Sequence, residues 1–436
     1  MSSHNAIRQD LVKALLFAAL SLFLIPALTY GFIRYANPEL GAFGEQWQFH
    51  AMQRAALWTL LGGVVLLLCI GTLGGLAFVN RKWQYASFVV GWRLMTVASA
   101  AQVLLQGAMG VWLSYWVTAF FVQKHYVKLV AVVGLLVLAG VALLVVKIFQ
   151  RVPDDNALDG EILTEDQAPL LWRRIRHMAK RLKTAPPDNL VAGIDTSFFV
   201  TEAPLTVGQQ QLTGRSLVVS IPLLRLLSVP QADAVLGHEL AHFRGGDARA
   251  RAQLGPKLQQ YDHYVQGMHG FGFTVVVYYV MQLYRMVFQI ALSRDSRARE
   301  FKADRAAAKL VSAQAIVQSL VKIAAYDHYR CGTERSLFER DQVVRGALGI
   351  SETVAKGLRP YAASIDFVDD MRNAHVPHPF DSHPPLAERM RQLGHSVDPD
   401  AYGAIVMDAP RLTWADDIIQ PEVIEERLWA THYHPA

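Results

Sequence analysis

The chain has 436 residues, of which 52% are hydrophobic and only 18% charged, with a formal net charge of +5. That is too apolar for an ordinary soluble enzyme and long enough for two or three domains. The basic excess forms no long run, which argues against a nucleic-acid partner and for a lipid bilayer, whose anionic surface suits basic residues beside the spans.

Residues 14–33 are uncharged and long enough to span a bilayer. With no clear small-residue cleavage site, the run reads as an uncleaved anchor rather than a signal peptide. Runs 55–80, 94–123 and 129–146 follow, the second of these three long enough to span with tilt or to break near Gly107 and Gly110. None has a polar face, so none reads as a buried helix of a soluble core. Residues 1–151 are therefore expected to form a transmembrane region of about four helices, and 152–436 a separate domain. An even number of spans and a modest lysine and arginine bias place that domain in the cytoplasm, at the inner membrane of a bacterium. Cys69 and Cys331 lie far apart in unlike surroundings and give no sign of a disulfide.

Residues 152–165 read as a polar linker. Residues 167–182 read as an amphipathic helix with Arg173, Arg174, Arg176, Lys180 and Arg181 among its polar positions. Residues 190–200 and 217–221 read as strands. One of them is a candidate edge, along which a polypeptide substrate could add as a further strand.

Ser228 to Gln231 reads as a capping box with proline in the first turn, and Gly245-Gly246 ends the segment. The helix so bounded, 229–244, contains His238-Glu239-Leu240-Ala241-His242. Residues i and i+4 share a helical face, so both imidazoles can reach one metal ion. Glu239 is placed to take a proton from an activated water. Two histidines merely hydrogen-bonded on a buried helix would be the plainer account, and a third ligand decides between them.

The strongly apolar stretch 270–292 is either a further membrane-contacting helix or a core helix. Beyond it, Glu300 and Asp304 are again i and i+4. Glu300 can complete a three-ligand zinc site, and Asp304 can accept the free N–H of a ligating histidine. Residues 306–325 read as an amphipathic helix, 360–381 as irregular, and 421–430 as a terminal helix. Within Ser382-His383-Pro384-Pro385, His383 sits on a rigid loop and could donate to a developing oxyanion. Arg389 could orient it or anchor a carboxylate. His375 and His378 are rivals for the role of His383.

Three motifs in this order, Leu236 to His242, Glu300 to Asp304 and Ser382 to Arg389, resemble the membrane zinc metallopeptidases that include HtpX and the CAAX prenyl proteases. The likeness covers roughly residues 160–430. It implies gluzincin chemistry: one Zn2+ per chain on His238, His242 and Glu300, Glu239 as general base, and catalytic roles for His383 and Arg389. The expected fold is mainly α with a small β-sheet, multi-span transmembrane helices and a zincin-like catalytic domain. The expected activity is hydrolysis of membrane or membrane-proximal, misfolded polypeptides. The rivals are a prenyl-peptide protease and a non-enzymatic membrane adaptor with a structural zinc site. Oligomeric state is not legible.

Overall fold

The computed structural model describes residues 3–40, 46–80, 83–150, 157–244, 247–269, 272–339, 350–364, 366–374 and 384–433. The fold is mainly helical, with two small sheets where one was expected. The chain divides into two compact units: Met1–Pro153 with Gly255–Asp295, and Asp154–Leu254 with Ser296–Pro377 and Asp381–Ala436.

The first unit is built on α1 (Ser3–Leu40), α2 (Gln46–Val79), α3 (Gln84–Val122) and α4 (Val127–Phe149). α3 is one continuous helix, with no break at Gly107 or Gly110. Leu16, Leu68, Leu135 and Leu138 are more than 60% exposed, apolar surface that lipid covers and water would not. Two buried amides cross-link the helices: Gln102 Nε2 donates to Thr59 O at 3.0 Å, and Gln106 Nε2 to Leu22 O at 3.3 Å. In hydrocarbon such amides need protein partners.

Aromatic rings collect at two levels of α3. Trp112 and Trp116 meet Phe49 and Phe32 near its end. Phe88 and Trp92 meet Tyr261 and Tyr284 near its start. The two bands are about 20 residues apart, roughly 30 Å of helix and the thickness of a hydrocarbon core.

Residues 255–295, expected within the second domain, pack in this unit. They carry the end of α8 (Asp247–Gln266) and most of the apolar half of α9 (Val275–Leu310). Phe273 lies in the gap between Gly110 and Gly140, the first of which would bring a Cβ within 3.2 Å of its ring. Tyr284 Oη donates to Ser87 O at 3.0 Å. Gly272–Leu310 thus joins the four expected runs as a fifth helical segment long and apolar enough to cross a membrane.

The second unit begins where a linker was expected. Residues 157–158 and 160–162 are strands β1 and β2, because Gly160 to Ile162 find an antiparallel partner in β3 (Asn189–Gly193). α5 (Pro169–Leu182) buries Leu171, Ile175, Met178 and Leu182. The strand read over 190–200 is broken at residues 194–198 and resumes as β4 (Phe199–Thr201). The glycine- and glutamine-containing stretch after it is a hairpin of β5 (Leu205–Val207) and β6 (Gln210–Leu212). Its turn needs Gly208, at φ 57°. β7 (Ser216–Ser220) completes the order β2-β3-β7-β4, with β3 and β7 parallel and β4 on one edge; β1-β5-β6 form the second sheet.

α6 (Ile221–Leu226) leads into α7 (Val229–Phe243), which opens with the expected capping box, Gln231 Oε1 accepting the Ser228 N–H at 3.0 Å. The helix read over 306–325 is two: α9 ends at Leu310, and α10 (Ala313–Glu339) starts anew where Ser312 Oγ accepts the Ala315 N–H. Residues 350–362 and 366–374 are helical where irregular chain was expected over 360–381, because an apolar face at helical spacing, with Val354, Leu358, Phe367 and Met371, packs into the core. Pro421–Tyr433 is helical, as expected of the tail.

Candidate metal centre

α7 is held rigidly along its length. Asp233, five residues before the first histidine and 2% exposed, accepts from Arg174 Nε of α5 at 2.9 Å and from Trp414 Nε1 at 2.9 Å. Gly237 lets α9 come close: a Cβ there would sit 2.8 Å from Leu310 Cδ2 and 3.9 Å from Ala307 Cα. That approach brings Glu300 against the histidine pair. The Asp233 anchor was not foreseen. An acidic side chain among the apolar positions of α7, little more than a helical turn before His238, was the available signal.

His238 Nε2 lies 3.3 Å from His242 Nε2 and 3.2 Å from Glu300 Oε2, and His242 Nε2 lies 3.5 Å from Glu300 Oε1. A tetrahedron of nitrogen and oxygen ligands at zinc distances has edges of about 3.3–3.4 Å. Glu300 turns one carboxylate oxygen to each histidine, so the three side chains converge closely enough to hold one ion. Glu239 Oε1 stands farther off, 4.0 Å from His238 Nε2, and its side chain is 12% exposed against 5% or less for the other three. It is the carboxylate on the open side.

Behind the donors lies a charged relay. Asp304 Oδ1 is 2.9 Å from His238 Nδ1, ion-pair distance, although the ring N–H does not point squarely at it. Arg389 grips the same carboxylate with Nε at 2.8 Å and Nη2 at 2.5 Å, both groups buried. Burial opposes the charged form of each, but the pairing outweighs it. Asp304 is held well below the usual carboxylate range by Arg389 and His238. The Arg389 guanidinium is pushed up by Asp304. His238 is pushed up to about 10 by Asp304 and Glu300.

The structure thus brings together His238, Glu239, His242, Glu300, Asp304 and Arg389. Arg389 does anchor a carboxylate, one of the two roles read for it. His383, with its rivals His375 and His378, lies outside the described residues.

A family model described as peptidase family M48 matches residues 165–397, more than half of the chain. The chain belongs to peptidase family M48. Among curated relatives, protease HtpX of Xanthomonas oryzae pv. oryzae (strain MAFF 311018) is 26% identical over 254 residues, 54% of this chain and 75% of the relative. The protease HtpX homolog of Archaeoglobus fulgidus is 24% identical over 236 residues, 50% of this chain and 64% of the relative. Among solved structures, Ste24p of S. mikatae covers 86% of this chain and 98% of its own at 14% identity, with a TM-score of 0.27, too slight a likeness to argue from. M48 membership and the five apolar helices make the chain a membrane-embedded member of a protease family.

Proposed function

We propose that the chain is a zinc-dependent endopeptidase that cleaves membrane or membrane-proximal, misfolded polypeptides on the cytoplasmic side of a bacterial inner membrane. The observation that carries the reading is the convergence of His238, His242 and Glu300, with nitrogen–nitrogen and nitrogen–oxygen distances of 3.2–3.5 Å, on a space that one ion could fill.

A bound zinc ion supplies Lewis-acid chemistry, polarising a carbonyl and making water acidic enough to attack near neutral pH. Glu239 takes the proton of the attacking water at its carboxylate and passes it to the leaving amine. Asp304 holds the His238 ring so that Nε2 faces the ion, and Arg389 holds Asp304, making both positioning residues. His383 keeps the oxyanion role that the family resemblance implies. β4 packs against α7 and has a free edge in its own sheet, which suits an extended substrate held by backbone bonds with little sequence demand.

The test is Glu239→Gln in full-length protein with casein as substrate. Cleavage should fall roughly a thousandfold while one zinc per chain stays bound. Equal cleavage by both proteins would refute the assignment of the base.

A further inference from the structure

α5 sorts its residues cleanly. Its apolar side enters the core of the second unit. Its other side is exposed and cationic, with Arg173, Lys180, Arg181 and the capping Lys183. Among the described residues none of these four has an acidic partner, whereas Arg174 and Arg176 are spent on Asp233 and Glu165. Asp166 subtracts one charge. Leu170, on the same face, is 52% exposed, and beside it Ile419 is 56% exposed, with its N–H donating to Gln167 O at 2.9 Å.

From this the geometry points to a docking surface for an anionic lipid bilayer on the exposed face of α5. Cations in register along a helix with exposed aliphatics at its start match a headgroup plane, where charge meets phosphate and the aliphatics reach the acyl boundary. A nucleic acid would satisfy the cations but leave Leu170 and Ile419 in water. A bilayer is also the polyanion this chain is never without, since α5 follows shortly after α4, one of its apolar helices. Docking here would hold the catalytic unit by electrostatics as well as by its covalent tether, in a manner set by the lipid composition of the leaflet.

The test places a spin label at His177→Cys in full-length protein carrying Cys69→Ser and Cys331→Ser, reconstituted in vesicles doped with a nickel-chelating lipid. With about a third phosphatidylglycerol, headgroup nickel should relax the label several-fold more than in pure phosphatidylcholine. The difference should vanish at about 1 M salt. It should also vanish in the fourfold variant Arg173→Glu, Lys180→Glu, Arg181→Glu, Lys183→Glu, whose casein cleavage in detergent should match that of the parent. Equal relaxation in the two lipids would overturn the proposal. A variant with unchanged relaxation but a raised KM for an acidic polypeptide in both lipids would overturn it in favour of a substrate-binding role. Should the fourfold variant misfold, the salt and lipid dependence of the parent decides. The readout is independent of catalysis, so it survives any failure of the zinc-peptidase reading.

Discussion

Arg389 donates twice to Asp304, a carboxylate that no solvent reaches. Removing one partner of a buried pair strands the other charge, so Arg389→Leu should destabilise the fold by about 3 kcal/mol, measured by denaturant unfolding in chelator. Zinc affinity should fall with it, because the His238 ring loses its brace. The same relay sets a pH dependence. His238, raised from 6.5 to about 10, contributes stability that is complete below about pH 6.5 and is lost as the pH climbs toward 10. Asp304, held low, contributes stability that is present above about pH 4 and is lost as acid protonates it. The Tm of chelator-treated protein should therefore peak between these limits. Zinc needs the imidazole unprotonated, so each pH unit below the His238 value should weaken zinc binding roughly tenfold, with proton release seen by calorimetry.

At the scale of elements, the close approach of α7 and α9 is what converts two motifs into one site. Gly237→Ala should be tolerated, since Leu310 Cδ2 is the mobile end of a side chain. Gly237→Val should press α9 away, cutting zinc affinity tenfold or more by equilibrium titration while α7 stays helical. The i, i+4 spacings of His238 with His242 and Glu300 with Asp304 were legible because helical periodicity alone puts each pair on one face. The meeting of the pairs was read from the ligand count that a zinc site needs and from the family resemblance, not from periodicity; the Gly237 contact that permits it was not legible. The apolar runs were legible by length, and α5 by its two faces. The short strands β1, β2, β5 and β6 were missed because two or three residues carry no period; only pairing makes them strands. The helical parts of the stretch expected to be irregular from residue 360 were missed because Pro360 and clustered charges masked a 3.6-residue repeat.

At the scale of the whole molecule, five helices among the described residues are long and apolar enough to cross a bilayer. The chain leaves the second unit after residue 254 and returns to it at residue 296. The sequence of α8 includes Arg249, Arg251, Lys257 and Asp262, too many charges for a span. Phe273 sits at Gly110, beside the Trp112 band, and Tyr284 at the Phe88 band, so this stretch of the first unit runs between the two aromatic levels of α3. If Gly272–Leu310 crosses, a cysteine placed at His269, in protein lacking the native thiols, should react with impermeant maleimide from the face opposite the second unit; labelling only from the second unit's face would show that it does not cross. One consequence of the Arg389 clamp concerns biosynthesis. A ribosome delivers the imidazoles first, the carboxylates later and the guanidinium later still. Asp304 therefore waits for its guanidinium until some 85 further residues have been made, so the buried charge is neutralised only late in synthesis.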